Sequence, residues 1–384
     1  YPSGNRPLYD RILRENGGIL SEQPPGMRAR NYFFPARNRI ISGLADLVLI
    51  VEAREKSGSL ITAQWALDQG KIVYAVPGAV NEALSMGCHK LIYDGAGIAY
   101  SPGVREVLRN MDTDTLRLYP DPAALDLVRA IADTYGLSDN QVFVGVGSDD
   151  VLAMSFLTFF NSEKPILFPD ITYSFYDVWA DLFRIPYERP ALDEHFHICK
   201  EDYFRENGGI VFPNPNAPTG VVMPLSEVED IVAHNQDVVV IVDEAYVDFG
   251  SQSALPLIEK YENLLIVQTF SKSRSMAGMR IGFAMGSPKL IKYLNDAKYS
   301  FNSYTMDRTA LAAGVAAVKD QEYFCETCHK IIETREWTKK ELSKLGFSFE
   351  DSKANFIFAS HPEIPAAELF AALREANIIV RYFN

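Results

Sequence analysis

The stretch "DVVVIVDEAYVDFG", residues 237–250, decides how this chain is read. Five apolar residues, Val238 to Val242, follow one another without alternation, the pattern of a strand covered on both faces. The run ends in a carboxylate, Asp243. A buried carboxylate is costly unless it meets a positive charge or strong donors, and the carboxyl end of a strand is where open α/β sheets place ligand groups. The stretch therefore predicts a parallel α/β layer with a ligand at its edge.

Working outward, "NLLIVQTFSKSRSMAGMR" (263–280) is a second buried strand, running out into Ser271 and Lys272 with Arg280 eight positions on. A lone lysine is ordinarily solvated surface charge. At a sheet's carboxyl edge, with an arginine and hydroxyls nearby, its amine can instead form a Schiff base while its neighbours hold a phosphate. "VFVGVGSDDVLAMSFLTFF" (142–160) reads as strand, glycine turn and helix, so the N–H groups near Ser148 and Asp149 suit an anion. Asp150 is expected only to complement the helix dipole. "FPDITYSFYDVW" (168–179) supplies Tyr173 and Tyr176 at the start of a helix, as packing residues or as a ring for a flat cofactor. "VFPNPNAPTGVVMP" (211–224) is a turn, dense in Asn, Pro and Gly. Aspartate, anion cradle, lysine and arginine occur in an order that one cofactor explains.

Composition sets the bounds. The 384 residues are 47% hydrophobic, enough for sizeable cores, and no apolar run approaches the ~20 residues of a membrane span. The opening "YPSGNRPLYDRILREN" is too charged for a signal peptide, so a cytoplasmic protein is expected. The net charge of −13 argues against a nucleic-acid-coating surface overall, yet residues 1–98 carry 11 Lys+Arg and 9 Asp+Glu, net +2, against −15 for the remainder. Four scattered cysteines, Cys88, Cys199, Cys325 and Cys328, suit reduced thiols. No metal centre is expected. "CETCH" (325–329) has haem-attachment spacing but lies in a helical pattern, and "HFHIC" (195–199) reads as a strand with Phe196 and Ile198 facing the core.

Residues 17–94 alternate β and α: "GGILSE" as a strand, "RNRIISGL" as a helix, "ADLVLIVEA" as a strand, "SGSLITAQWALDQG" as a helix, "KIVYAVPG" as a strand. Ser57, Gly58 and Ser59 either bind an anion or simply cap their helix, the second being the commoner role. "YPSGN", "GGILSEQPPG", "FPARNRIISGL", "VEAREKSGSLITAQWAL" and "VPG" follow in the order seen in the DNA-processing protein DprA (Smf) family, which residues 1–98 resemble. That resemblance implies the later part of a Rossmann-like fold and single-stranded DNA as partner, with Arg37 and Arg39 the nominated phosphate contacts. The alternative for both arginines is ion pairing on a solvated helix face.

From Val104 the chain resembles the fold-type I aminotransferases, most closely the histidinol-phosphate aminotransferases. The motifs are "LRLYPDP", "GVGSDD", "TYSFY", "NPNAPTG", "VDEAY" and "TFSKSRSMAGMRIGF". The fold class is thus α/β, a partial Rossmann-like layer (1–98) followed by a PLP-binding large domain (104–300) and an incomplete small domain (301–384). The resemblance implies pyridoxal 5′-phosphate (PLP) as cofactor, attached through Lys272, which also moves the substrate proton. It implies Asp243 on the pyridinium nitrogen, Tyr246 on the phenolic oxygen and Tyr173 stacked on the ring. Ser148, Asp149, Ser271 and Arg280 would hold the phosphate, with Tyr119 reaching it from the other subunit of a homodimer, and Arg381 would meet the substrate's phosphate end. An amino donor and a 2-oxo acid are the implied substrates.

The chain departs from the family at Ala217, where many relatives carry a second asparagine; Asn214, Asn216 or Tyr246 alone could make the missing contact. Both ends read as short: the N-terminal arm is replaced, and the arginine that clamps the α-carboxylate is expected beyond Asn384. Slowed turnover is the expectation. Three alternatives stand beside the aminotransferase: a PLP-dependent decarboxylase of an amino-acid phosphate, a single-stranded DNA-binding protein, and a non-functional joining of two gene fragments at 97–104.

Overall fold

The long apolar runs become the centre of a sheet in the computed structural model, which describes residues 6–15, 21–23, 27, 30, 33–45, 47–51, 53–54, 56–69, 71–75, 86–93, 101–375, 378 and 380–383. The chain divides into two units, Tyr1–Ala99 and Tyr100–Asn384.

The first unit runs α1 (Arg6–Arg14), α2 (Phe33–Leu44), β1 (Leu47–Ile50), α3 (Gly58–Asp68), β2 (Ile72–Ala75) and α4 (Met86–Tyr93). β1 and β2 pair in parallel, with Ile50 opposite Ala75, and Ile50, Ala63, Ala66, Val73, Cys88 and Leu91 share a small core. The Trp65 indole N–H donates to Pro35 O at 3.2 Å, fastening α3 to α2. Ser57 caps α3, its hydroxyl accepting from the Ser59 N–H, which is the commoner of its two expected roles. Most of the "GGILSE" strand, the "VPG" end and residues 97–100 of the junction lie outside the described residues.

The second unit opens with α5 (Pro102–Arg109) and α6 (Leu125–Tyr135). β3 (Val142–Gly145), α7 (Ser148–Phe159), β4 (Ile166–Leu167), α8 (Tyr176–Phe183), β5 (Tyr187–Glu188), β6 (Ile210–Pro213), α9 (Leu225–His234), β7 (Val240–Asp243), β8 (Leu264–Thr269) and β9 (Gly282–Gly286) follow. α10 (Pro288–Phe301), α11 (Arg308–Lys319), α12 (Gln321–Lys344), β10 (Ser348–Phe349), β11 (Ala359–Ser360) and α13 (Ala366–Glu375) complete it. Its seven-stranded sheet has the order β3-β9-β8-β7-β6-β4-β5, parallel except for β9, which is antiparallel to both neighbours.

The pleat explains the unbroken apolar runs. Val240, Val242, Leu264 and Ile266 enter one core with Leu127 and Phe270, while Ile241, Leu265 and Val267 enter the opposite core with Phe156 and Trp179. Each strand residue is buried whichever way it points, so no position calls for a polar side chain until the strand ends. α11, beyond the boundary expected at residue 300, buries Ala310, Ala313 and Ala317 in the first of these cores.

Residues 195–199 form no strand, contrary to the reading of "HFHIC". Phe196 has φ 61°, a left-handed conformation that ends any alternation, and Phe196 packs edge-on to Phe358 at 5.6 Å. The histidines take carboxylates instead: His195 Nδ1 lies 3.0 Å from Glu350 Oε1, and His197 Nδ1 lies 3.1 Å from Asp193 Oδ2. "CETCH" lies within α12, with Cys328 buried and Cys325 exposed. No helix among the described residues is long and apolar enough to cross a membrane.

The turn after β3 passes against the start of β9 so closely that only glycine fits. A Cβ on Gly282 would stand 2.3 Å from Ser148 N and from Gly147 C. Both obstacles are backbone, so Gly282→Ala should destabilise the unit by about 3 kcal/mol. Urea unfolding reads this directly, and an unchanged midpoint would contradict it.

Candidate active site

Three backbone features assemble the site at the carboxyl edge of the sheet. The first is the β3–α7 turn. Gly147 has φ 88°, no side chain caps α7 at this residue, and the first-turn N–H groups of a twelve-residue helix begin at Ser148. Asp150 Oδ2 accepts from the Val146 N–H at 2.9 Å, closing the turn from behind, a task beyond the dipole role expected of it. A Cβ on Gly147 would fall 2.6 Å from the Arg280 guanidinium, so glycine is what lets this arginine approach the helix start.

Asp149 then joins two of the expected residues. Its Oδ2 lies 3.2 Å from Arg280 Nη2, and its Oδ1 accepts from the Tyr173 hydroxyl at 2.8 Å. Burial, followed by this bond to Asp149, holds the Tyr173 phenol well above its usual range. Ser271 donates its N–H to Thr269 Oγ1 at 3.1 Å, which fixes the backbone leading into Lys272.

The second feature is the end of β7. Asp243 is buried; its Oδ2 accepts from the Tyr176 hydroxyl at 3.0 Å and its Oδ1 from the Ala245 N–H at 3.1 Å. Burial pushes this carboxyl up to about 6, against the lowering effect of both hydrogen bonds; the Asp149 charge raises it further and the Lys272 charge lowers it. Two neutral donors leave the charge of Asp243 incompletely paired in a dry place. The Tyr176 ring packs, one of the two roles expected of it, and its hydroxyl reaches the site's central carboxylate. Its three-residue spacing from Tyr173, whose ring meets its own edge-on at 5.7 Å, was the available signal.

The third is the end of β8. Lys272 Nζ lies 5.4 Å from the centroid of the Tyr246 ring, and neither Lys272 Nζ nor Tyr246 Oη has a hydrogen-bond partner among the described residues. An amine, an unpartnered phenol, a buried carboxylate and a helix N-terminus with an arginine are thus gathered in one place. These are the groups that the aldehyde, phenolic oxygen, pyridinium nitrogen and phosphate of PLP require, so the residues present fit that cofactor.

The asparagines beside Ala217 serve the loops. Asn214 exchanges hydrogen bonds with the Met223 backbone, 3.0 Å each way, while Asn216 donates to Ile171 O at 2.9 Å and accepts from the Thr172 hydroxyl at 3.0 Å. Asn216 therefore anchors the segment that carries Tyr173.

The other expected residues make local contacts of their own. Tyr119 is 77% exposed, its ring 4.6 Å from that of Tyr304, and its carbonyl accepts from Arg308 Nη2 at 2.7 Å. Arg381 is exposed, with its guanidinium 5.5 Å from the Phe383 ring. In the first unit, Arg37 lies over Phe34 at 5.8 Å, and Arg39 is ion-paired with Glu22, the alternative expected for it.

Comparison with known proteins gives the family. A family model described as "Aminotransferase class I and II" matches residues 93–384, and one described as "DNA recombination-mediator protein A" matches residues 1–111. The histidinol-phosphate aminotransferase of Lactococcus lactis subsp. cremoris (strain MG1363) is 53% identical over 281 residues, 73% of this chain and 79% of that protein. That of Pseudomonas putida (strain W619) is 53% identical over 284 residues, 74% of this chain and 82% of that protein. The crystal structure of histidinol-phosphate aminotransferase from Sinorhizobium meliloti, solved with pyridoxal-5′-phosphate, shares the fold: TM-score 0.67 at 20% identity, covering 94% of this chain and 89% of that one. Residues 1–111 thus carry a DprA-like segment, and through residues 93–384 the chain belongs to the class I and II aminotransferases, which are PLP-dependent transaminases.

Proposed function

We propose that this chain transfers an amino group between histidinol phosphate and 2-oxoglutarate. The observation that carries the reading is the unpartnered Lys272 amine at the sheet edge, over Tyr246 and close enough to the buried Asp243 to affect its charge. The 53% identity to histidinol-phosphate aminotransferases supports the substrate.

The bound cofactor supplies an aldehyde that takes up the amino group and a protonated ring that draws electrons from the substrate Cα. Asp243 would keep a proton on the ring nitrogen, which would also supply the positive partner that its buried charge lacks. Tyr246 would donate to the phenolic oxygen, and Tyr173, held by Asp149, would pack on the ring. The N–H groups of Ser148 and Asp149, with Ser271 and Arg280, take the phosphate. Lys272 would anchor the cofactor, and its amine would take the proton from the substrate Cα. Arg381 meets the phosphate of the substrate. Tyr119, exposed on a loop held by Arg308, completes the phosphate site of a second copy in a homodimer.

A decarboxylase acting on an amino-acid phosphate would use the same groups. Product analysis separates the two: the proposal expects glutamate to form from 2-oxoglutarate, with no release of carbon dioxide. The match of residues 1–111 to the recombination-mediator model favours a second reading, single-stranded DNA binding by the first unit. Fluorescence anisotropy with an oligonucleotide should then show salt-sensitive binding that weakens when Arg37 and Arg39 are both changed to Ala; salt-independent or absent binding rejects it.

Borohydride reduction in the presence of PLP should label Lys272 alone, and Lys272→Ala should lower turnover by about 10³-fold or more. Label on another lysine sinks the cofactor assignment.

Asp243 also makes a stability prediction for the chain without cofactor. Its folded pKa, about 6, lies above the ordinary 3.8, so folding takes up a proton between roughly pH 4 and 6 and stability falls as pH rises through that window. At pH 7 the buried charge opposes folding by up to about 3 kcal/mol. Asp243→Asn should therefore melt higher than the wild type at pH 7 without PLP, and no higher at pH 4, while losing affinity for PLP. A lower melting temperature at pH 7 would contradict this account.

A further inference from the structure

Lys272 has no polar partner among the described residues, yet its neighbours are tightly held. Ser273 is buried, and its hydroxyl donates to Asp248 Oδ2 at 2.5 Å. Its carbonyl faces the buried Cys328 Sγ of α12 at 3.9 Å. Arg274, also buried, donates from Nη1 to Ala317 O at 2.8 Å and lies between two rings, 4.1 Å from the Phe324 centroid and 5.2 Å from that of Phe270.

Asp248 belongs to the other loop of the site. It sits in the short 3₁₀ turn Val247–Phe249 that follows Tyr246, and the Phe249 N–H returns to Tyr246 O at 3.2 Å. The same loop is pinned from below by Glu244, whose Oε1 accepts from the Ala254 N–H at 2.6 Å. Glu244 Oε2 accepts from the Ser253 hydroxyl at 2.7 Å and from the Gln268 amide at 2.8 Å. Gln268 lies on β8 and in turn accepts from the Tyr135 hydroxyl at 2.8 Å. Two links thus cross from the β7 loop to β8 and its exit: Glu244 to Gln268 before the lysine, and Asp248 to Ser273 immediately after it.

We propose that the Asp248–Ser273 hydrogen bond is the positioning device for Lys272, tying the loop that carries Tyr246 to the loop that carries the lysine so that the free amine stays over the Tyr246 ring. Lysine has four side-chain torsions and would otherwise sample many directions; fixing the backbone on each side confines them. Asp248 suits the task because its carboxylate is an acceptor only, and the Arg274 charge favours its ionised form against the burial that pushes its pKa up. Asp248 and Ser273 touch no reacting atom; they act through Lys272.

This inference rests on the cofactor reading, and its test separates the two. Attachment joins the Lys272 nitrogen to the aldehyde carbon of PLP with loss of one water, and borohydride makes the bond permanent for counting. Pyridoxine 5′-phosphate has no aldehyde and reports the rest of the pocket. Ser273→Ala and Asp248→Ala should each slow labelling of Lys272 by about tenfold, and the double variant should be no slower than the slower single one. Asp248→Asn keeps an acceptor oxygen and should stay within about threefold of wild type. Affinity for pyridoxine 5′-phosphate should change less than about twofold in all of them. Should Ser273→Ala fail to fold, the two Asp248 variants carry the same comparison. Unchanged labelling rates, rates that multiply in the double variant, or a parallel loss of pyridoxine 5′-phosphate affinity would each overturn the positioning role. A wild-type chain that takes no label at Lys272 removes the cofactor reading and this inference with it.

Discussion

Everything in the second unit turns on one costly placement: the Asp243 carboxylate, buried at the end of a strand that is covered on both faces. The Tyr176 hydroxyl and the Ala245 N–H moderate its cost without removing it, which is why its pKa stays raised. A fold tolerates such a group when a ligand repays it. The neighbouring strand end brings an amine without a hydrogen-bond partner, and the turn after β3 brings a glycine-lined helix start. The three features make one polar cluster at the edge of an otherwise apolar sheet.

The site is framed by contacts that look purely structural. Gly147 and Gly282 let the β3–α7 turn lie against β9, and Asp150 closes it from behind. Asn216 ties the Tyr173 segment to the proline-rich loop, while Glu244 and Asp248 tie the β7 loop to β8 and its exit. Acidic residues in this unit therefore divide by neighbour rather than by type. Asp243 faces the pocket, whereas Asp150, Glu244 and Asp248 spend their oxygens on backbone or side-chain donors and hold the frame.

Much of the sheet was legible because a doubly covered strand disfavours polar residues along its middle. The runs Val238–Val242 and Leu264–Val267 could hardly be anything else, and a polar residue at the end of such a run marks the ligand edge. "HFHIC" misled for a related reason: alternation over five residues is equally compatible with an irregular loop, and the left-handed backbone at Phe196 leaves no trace in residue type. The second tyrosine of "TYSFY" was readable as a packing residue or a cofactor ring, and its spacing from Tyr173 pointed to a shared site without naming Asp243 as the partner of its hydroxyl.

The sequence by itself determined the central strands, the residues at their ends, and the motifs that relate the chain to the aminotransferases. Local periodicity and chemistry are enough for that, because they depend on neighbours along the chain. Only the tertiary structure decided which side chains complete one another: Tyr176 with Asp243, Arg280 and Tyr173 with Asp149, Asp248 with Ser273. These partners stand 24 to 131 residues apart, and their meeting depends on strand order and register, which are set by packing the whole sheet between its two cores.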